Sequence, residues 1–130
     1  MTGEEIKKQE EALWTKYYGD KCRTRDNLKM PWSKEDEILM EELNCRDMIH
    51  SILIYGSSAD VEEGSRDFNR YLARYYDKSL NKEALLSKSR VLELIKEEKE
   101  EISNAVIYRN VYTDCEGLTY NSIEYRKRGV

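Results

Sequence analysis

The stretch VIYRNVYTDCEGLTYNSIEY, residues 106–125, decides how this chain is first read. Apolar and polar residues alternate on either side of DCEG, residues 114–117, which has Asp at the first turn position and Gly at the fourth. That is the pattern of a type I turn closed by a glycine in the left-handed region. It predicts an antiparallel β-hairpin over about 105–125. If Asp114 pairs with Leu118, then Tyr112 faces Tyr120 and Arg109 faces Ile123. One face then carries Ile107, Val111, Ile123 and Tyr125, and the other carries Tyr108, Tyr112 and Tyr120. A lone two-stranded hairpin is marginal in water, so it must lie on helices or pair its edge with something else. A second copy would cover the edge across a two-fold axis, which predicts a homodimer. A target protein adding a strand would do the same. Tyr108, Tyr112 and Tyr120 are therefore candidate partner-binding residues, since tyrosine joins a rigid contact area to a polar tip. The plain alternative is that these rings cover the ends of the helices.

Everything upstream of the hairpin reads as helix. The chain has 130 residues with one proline and six glycines, a composition that tolerates long helices. Thr2 and Glu5 have capping-box spacing. Ile6, Leu13, Trp14, Tyr17 and Tyr18 follow at helical period up to Gly19, predicting a helix over about 3–18. Residues 20–31, DKCRTRDNLKMP, read as a loop. Ser33 caps a second helix over about 34–55, with Glu35, Asp36 and Glu37 in its first turn, where the helix dipole favours acids. Its end, MIHSILIY (48–55), is apolar nearly all round and predicts the centre of the core, Leu53 included. His50 in that stretch reads as a core-edge histidine bonded to a neighbour rather than a catalytic one. Residues 56–65 break the pattern. A third helix is predicted over about 65–80, with Phe68, Leu72, Tyr75 and Tyr76 inward. A fourth is predicted over about 82–102, capped by Asn81 and burying Leu85, Leu86, Leu92 and Ile95. The expected fold class is α+β: about four helices followed by the hairpin, in one domain over residues 1–130.

Composition narrows function mainly by exclusion. With 26 acids against 22 bases the net charge is −4, too even for bulk charge to imply nucleic-acid binding. No apolar run approaches the ~20 residues of a membrane span. The polar, acidic start does not resemble a signal peptide, so the chain is expected in the cytoplasm. Cys22, Cys45 and Cys115 are widely spaced with no CxxC, which predicts free thiols and no metal site. No GxSxG, P-loop, GxGxxG or HExxH motif is present, so no catalytic residue and no cofactor is expected, and the chain is read as a non-enzyme.

Two charged surfaces join the tyrosine face as candidates. Arg66, Arg70 and Arg74 recur every fourth residue, with Lys78 beyond, and form a ridge that could grip carboxylates or phosphates. A solvated face neutralised by Glu62, Asp67 and Asp77 is the simpler account. Glu93, Glu97 and Glu101 form an acidic stripe, with Glu98 and Glu100 beside them. The stripe has roughly the spacing of strand phosphates, or is an ordinary charged helix face interrupted by Lys96 and Lys99.

The segment WSKEDEILMEEL, residues 32–43, resembles the first helix of Myb/SANT domains, with its Trp-Ser-x-acid-acid start and leucines behind. That resemblance implies a small nucleic-acid-binding regulator. The chain as a whole, with its short Lys/Glu-rich helices and few cysteines, resembles in style the small orphan proteins of bacteriophages and mobile elements. That resemblance implies a phage protein that binds and inhibits a host protein or ribonucleoprotein, such as an anti-CRISPR inhibitor of a CRISPR effector.

Overall fold

The computed structural model describes residues 1–55, 61–103, 105–113, 115–117 and 119–127, the two stretches 105–113 and 119–127 by their main chain alone. Helix α1 spans Gly3–Tyr18. Thr2 starts it by accepting a hydrogen bond from the Glu5 amide, and Gly19, at φ 64, ends it with its own N–H on the Thr15 carbonyl. Ile6, Leu13 and Tyr17 form its buried stripe. The loop that follows folds back on the helix, with the Lys29 amide donating to the Tyr17 carbonyl at 2.8 Å. It also stacks Trp32 on the Tyr17 ring at 4.0 Å between centroids.

Helix α2 spans Lys34–Tyr55. The Ser33 hydroxyl accepts from the Asp36 amide at its start. Buried residues lie on more than one side of α2, because it is the central element. Met40 and Leu43 pack with Ile6 and Leu13 of α1. Cys45, Ile49 and Ile52 pack with Val61, Phe68, Leu72, Leu86, Val91, Leu94 and Ile95. Leu53, expected at the centre of the core, is half-buried at its edge, and Ile49 holds the central position with no exposed surface.

The third helical segment differs from a regular helix over 65–80. After a short α turn it becomes a π-helix at Phe68–Leu72 and a 3₁₀ turn at Ala73–Tyr75. The Ala73 amide reaches back to the Phe68 carbonyl, the i→i+5 bond of a π turn. This winding buries both Phe68 and Leu72. The helix stops there because side chains compete for the backbone: the Asp77 carboxylate accepts from the Ser79 amide and hydroxyl, and the Asn81 amide group donates to the Arg74 carbonyl.

The predicted fourth helix also starts later than expected. Asn81 does accept from the Glu83 amide, but it caps only a turn. The connection is then pinned by the Leu86 amide on the Tyr75 carbonyl. Helix α3 begins at Lys88, capped by the Ser87 hydroxyl on the Arg90 amide, and runs to Ser103. Leu85 and Leu86 thus belong to the connection rather than to a helix face.

The α+β expectation is corrected. The part described down to its side chains is mostly helical, with no strand in it, and helices with their connections build the described core. The main chain of Ala105–Thr113 runs antiparallel to that of Thr119–Lys127, with Arg109 opposite Ile123 and Tyr112 opposite Tyr120. The tyrosine face expected of Tyr108, Tyr112 and Tyr120, and the homodimer expected across it, lie outside the described side chains.

Candidate functional site

The sequence reads His50 as a core-edge histidine bonded to a neighbour, which its buried bond to Glu98 bears out, and does not single out Arg46. Arg46 and His50 stand one turn apart on α2, and both are buried. Opposite them on α3, Glu98 has no exposed surface. One of its oxygens accepts from Arg46 Nη1 at 2.5 Å, and the other is bonded to His50 Nε2. The Met1 amine lies 3.1 Å from the same carboxylate. Burial alone would push the Glu98 carboxyl up. The hydrogen bonds from His50, Arg46 and the amine outweigh it and bring the carboxyl down to about 2. The carboxylate is thereby held ionised in the interior.

The seam continues outward. Arg46 Nη2 reaches Glu97 at 2.9 Å. Arg90 grips Glu42 of α2 with two nitrogens, at 2.8 and 3.3 Å, and Glu93 at 3.0 Å. Of the expected acidic stripe, Glu97 therefore ties α3 to Arg46 of α2, while Glu93 pairs within α3 with Arg90, which in turn grips Glu42 of α2. Glu101 sits half-buried one turn further along. The arginine ridge has a different fate. Arg66, Arg70 and Arg74 are all exposed, Arg66 pairs with its neighbour Asp67, and Arg70 lies over the Tyr71 ring at 5.2 Å.

A cleft of about 540 Å³ opens between α1, the start of α2 and the connection before α3. Trp14, Trp32, Met40 and Leu85 give it apolar walls, and Glu37, Glu41 and Glu83 give it three carboxylates. Trp14 and Trp32 meet edge to face at 5.6 Å. Burial, followed by the nearby Glu83 charge, raises the Glu41 carboxyl above its ordinary range. No sequence motif announces this cleft, because Glu83 and Leu85 join Glu37 and Glu41 only through the fold. The paired tryptophans were the available signal.

Elsewhere Tyr17 donates to Asp36 at 2.6 Å, and Lys16 contacts the same oxygen. The Lys16 bond, followed by that of Tyr17, holds the Asp36 carboxyl below its usual range. Among the described residues no group of three or more His, Cys, Asp or Glu side chains could hold a metal ion. Among them also, no helix is long and apolar enough to cross a membrane. No protein-family model, curated protein or solved structure matches the chain.

The carboxyls predict an unusual pH dependence. Burial, and then hydrogen bonding to and repulsion from Asp47, raise Glu10 to about 7. A raised folded-state value contributes stability that is present below 4.5 and lost as pH rises through about 7. The lowered value of Glu98 contributes stability that is present above 4.5 and lost as pH falls toward about 2. The melting temperature is expected to decline from pH 5 to pH 8, and Glu10→Gln is expected to flatten that decline. Calorimetry across the range reads it, and an unchanged slope in the variant would assign the effect elsewhere.

Proposed function

We propose that this chain is a non-enzymatic protein-binding module, of the kind by which phages and mobile elements inhibit a host protein or ribonucleoprotein. One observation carries the reading. The sole histidine is buried on the Glu98 carboxylate that it shares with Arg46 inside the α2–α3 seam, whereas Arg66, Arg70 and Arg74 stand exposed on an acidic protein. The side chains best suited to acid–base work are thus spent on structure, and those best suited to gripping carboxylates face outward. Exposure of the same arginines also favours a second reading, a small nucleic-acid-binding regulator.

Reversing Arg70 and Arg74 together to Glu tests both readings. Neither side chain is in the core, so circular dichroism is expected to stay unchanged. The yield of a specific partner from bacterial lysate, identified by mass spectrometry, is expected to fall several-fold. Binding of purified nucleic acid that needs no protein and weakens steeply with salt would favour the second reading. Unchanged yield with unchanged fold would return these arginines to an ordinary solvated face.

A further inference from the structure

The cleft between Trp14 and Glu83 has the chemistry of a receptor for a cation. Trp14 and Trp32 line it with aromatic surface, although one face of Trp32 is stacked on Tyr17 and Arg23 lies over Trp14, and Glu37, Glu41 and Glu83 add negative charge to the same lining. Among the described residues no cation pairs with these three carboxylates, unlike Glu42, Glu93 and Glu97 on the neighbouring seam. The three like charges share the lining of one partly apolar hollow, and Glu41 is half-buried with its carboxyl raised by burial and then by the nearby Glu83 charge. An arrangement that is electrostatically unfavourable when empty becomes favourable once a positive group enters.

The geometry points to an arginine side chain of a partner protein as the occupant, with its guanidinium against the tryptophans and its N–H groups on the glutamates. This rests on the protein-binding reading and adds to it a second contact surface of opposite sign to the arginine face. Arginine suits the site better than lysine, because a planar guanidinium can stack on an indole and fork to carboxylates at once. The chain already shows such a stack: the Arg23 guanidinium lies 4.3 Å from the centre of the Trp14 ring. Arg23 lines a neighbouring, smaller hollow and leaves the cleft itself unfilled by its charge.

Trp14 and Trp32 are the chain's two tryptophans, so intrinsic fluorescence reports on the cleft without a label. The probe is a short capped peptide with two arginines and no aromatic residue. Its control is the same peptide with citrulline, which keeps the shape and removes the charge. A saturable emission change is expected with the arginine peptide, and binding about tenfold weaker or worse with citrulline. Glu41→Gln with Glu83→Gln should weaken arginine binding by a similar factor while circular dichroism stays unchanged. Absence of a saturable response at millimolar peptide would overturn the proposal. Equal binding of the citrulline peptide would also overturn it, as would a double-glutamine variant that binds like the parent, or a response to a neutral oligosaccharide alone. Partner capture that survives the double-glutamine change would leave the protein-binding reading standing while removing the cleft from it.

Discussion

Glu98→Leu is expected to destabilise the protein by about 3 kcal/mol, because breaking a buried ion pair strands the charges that remain. Arg46 would keep its contact with Glu97, which places the effect near the lower end of such losses. His50 would lose the carboxylate that now meets its Nε2 within the interior. For a chain of this size a loss of that order lowers the melting temperature by roughly 10 °C. The informative companion is Arg46→Met with His50→Leu and Glu98→Leu. With all three polar side chains replaced by apolar ones of similar bulk, most of the lost stability should return, since desolvation of the Arg46–Glu98 pair is avoided. A single variant that melts like the parent would show that the carboxylate is not buried as described. A triple variant no more stable than the single one would show that the network supplies packing rather than charge compensation.

Ile49→Asp is expected to abolish cooperative unfolding or yield insoluble protein. Ile49 is fully enclosed where α2 meets the π-helical segment and α3, and a carboxylate there would be buried without a partner. The loss should be several kcal/mol, a large share of the roughly 5–15 kcal/mol that holds a domain together. Leu53→Asp, one turn later, is expected to be milder, because that side chain is half-buried and its new charge can reach water. Thermal melts of the two variants side by side are the check. If Leu53→Asp proved the more damaging, the core would be centred further along α2 than described.

The contrast between these two positions shows what the sequence could and could not convey. Thr2, Gly19 and Ser33 are local stop and start signals, and the bounds of α1 and α2 follow from them directly. The apolar run at 48–55 identified the right segment for the core but not the buried residue within it, because a helix apolar all round carries no preferred face. The third and fourth helices were misjudged for a different reason. Phe68 and Leu72 are four apart, a spacing that suits an α-helix as well as a π turn. The preference of Asp77 and Asn81 for bonding nearby backbone groups overrides the apolar period around them. The partner that joins Arg46 to His50 was hidden because Glu98 lies about 50 positions away from both. Glu98, between Ile95 and Ile102, looked like one more acid on a charged helix, although it occupies the inward face with Leu94 and Ile95. The cleft was hidden in the same way.

Cys45 gives this fold a clock. Its thiol is enclosed beside Ile49 and pushed up to about 12 by burial, so at neutral pH it is neither ionised nor reachable. Cys22 and Cys115 are exposed. A thiol reagent added in excess will therefore mark the two outer sites at once and the inner one only when the helices part. The delay between second and third label measures how often the native structure opens around α2, in real time and without denaturant.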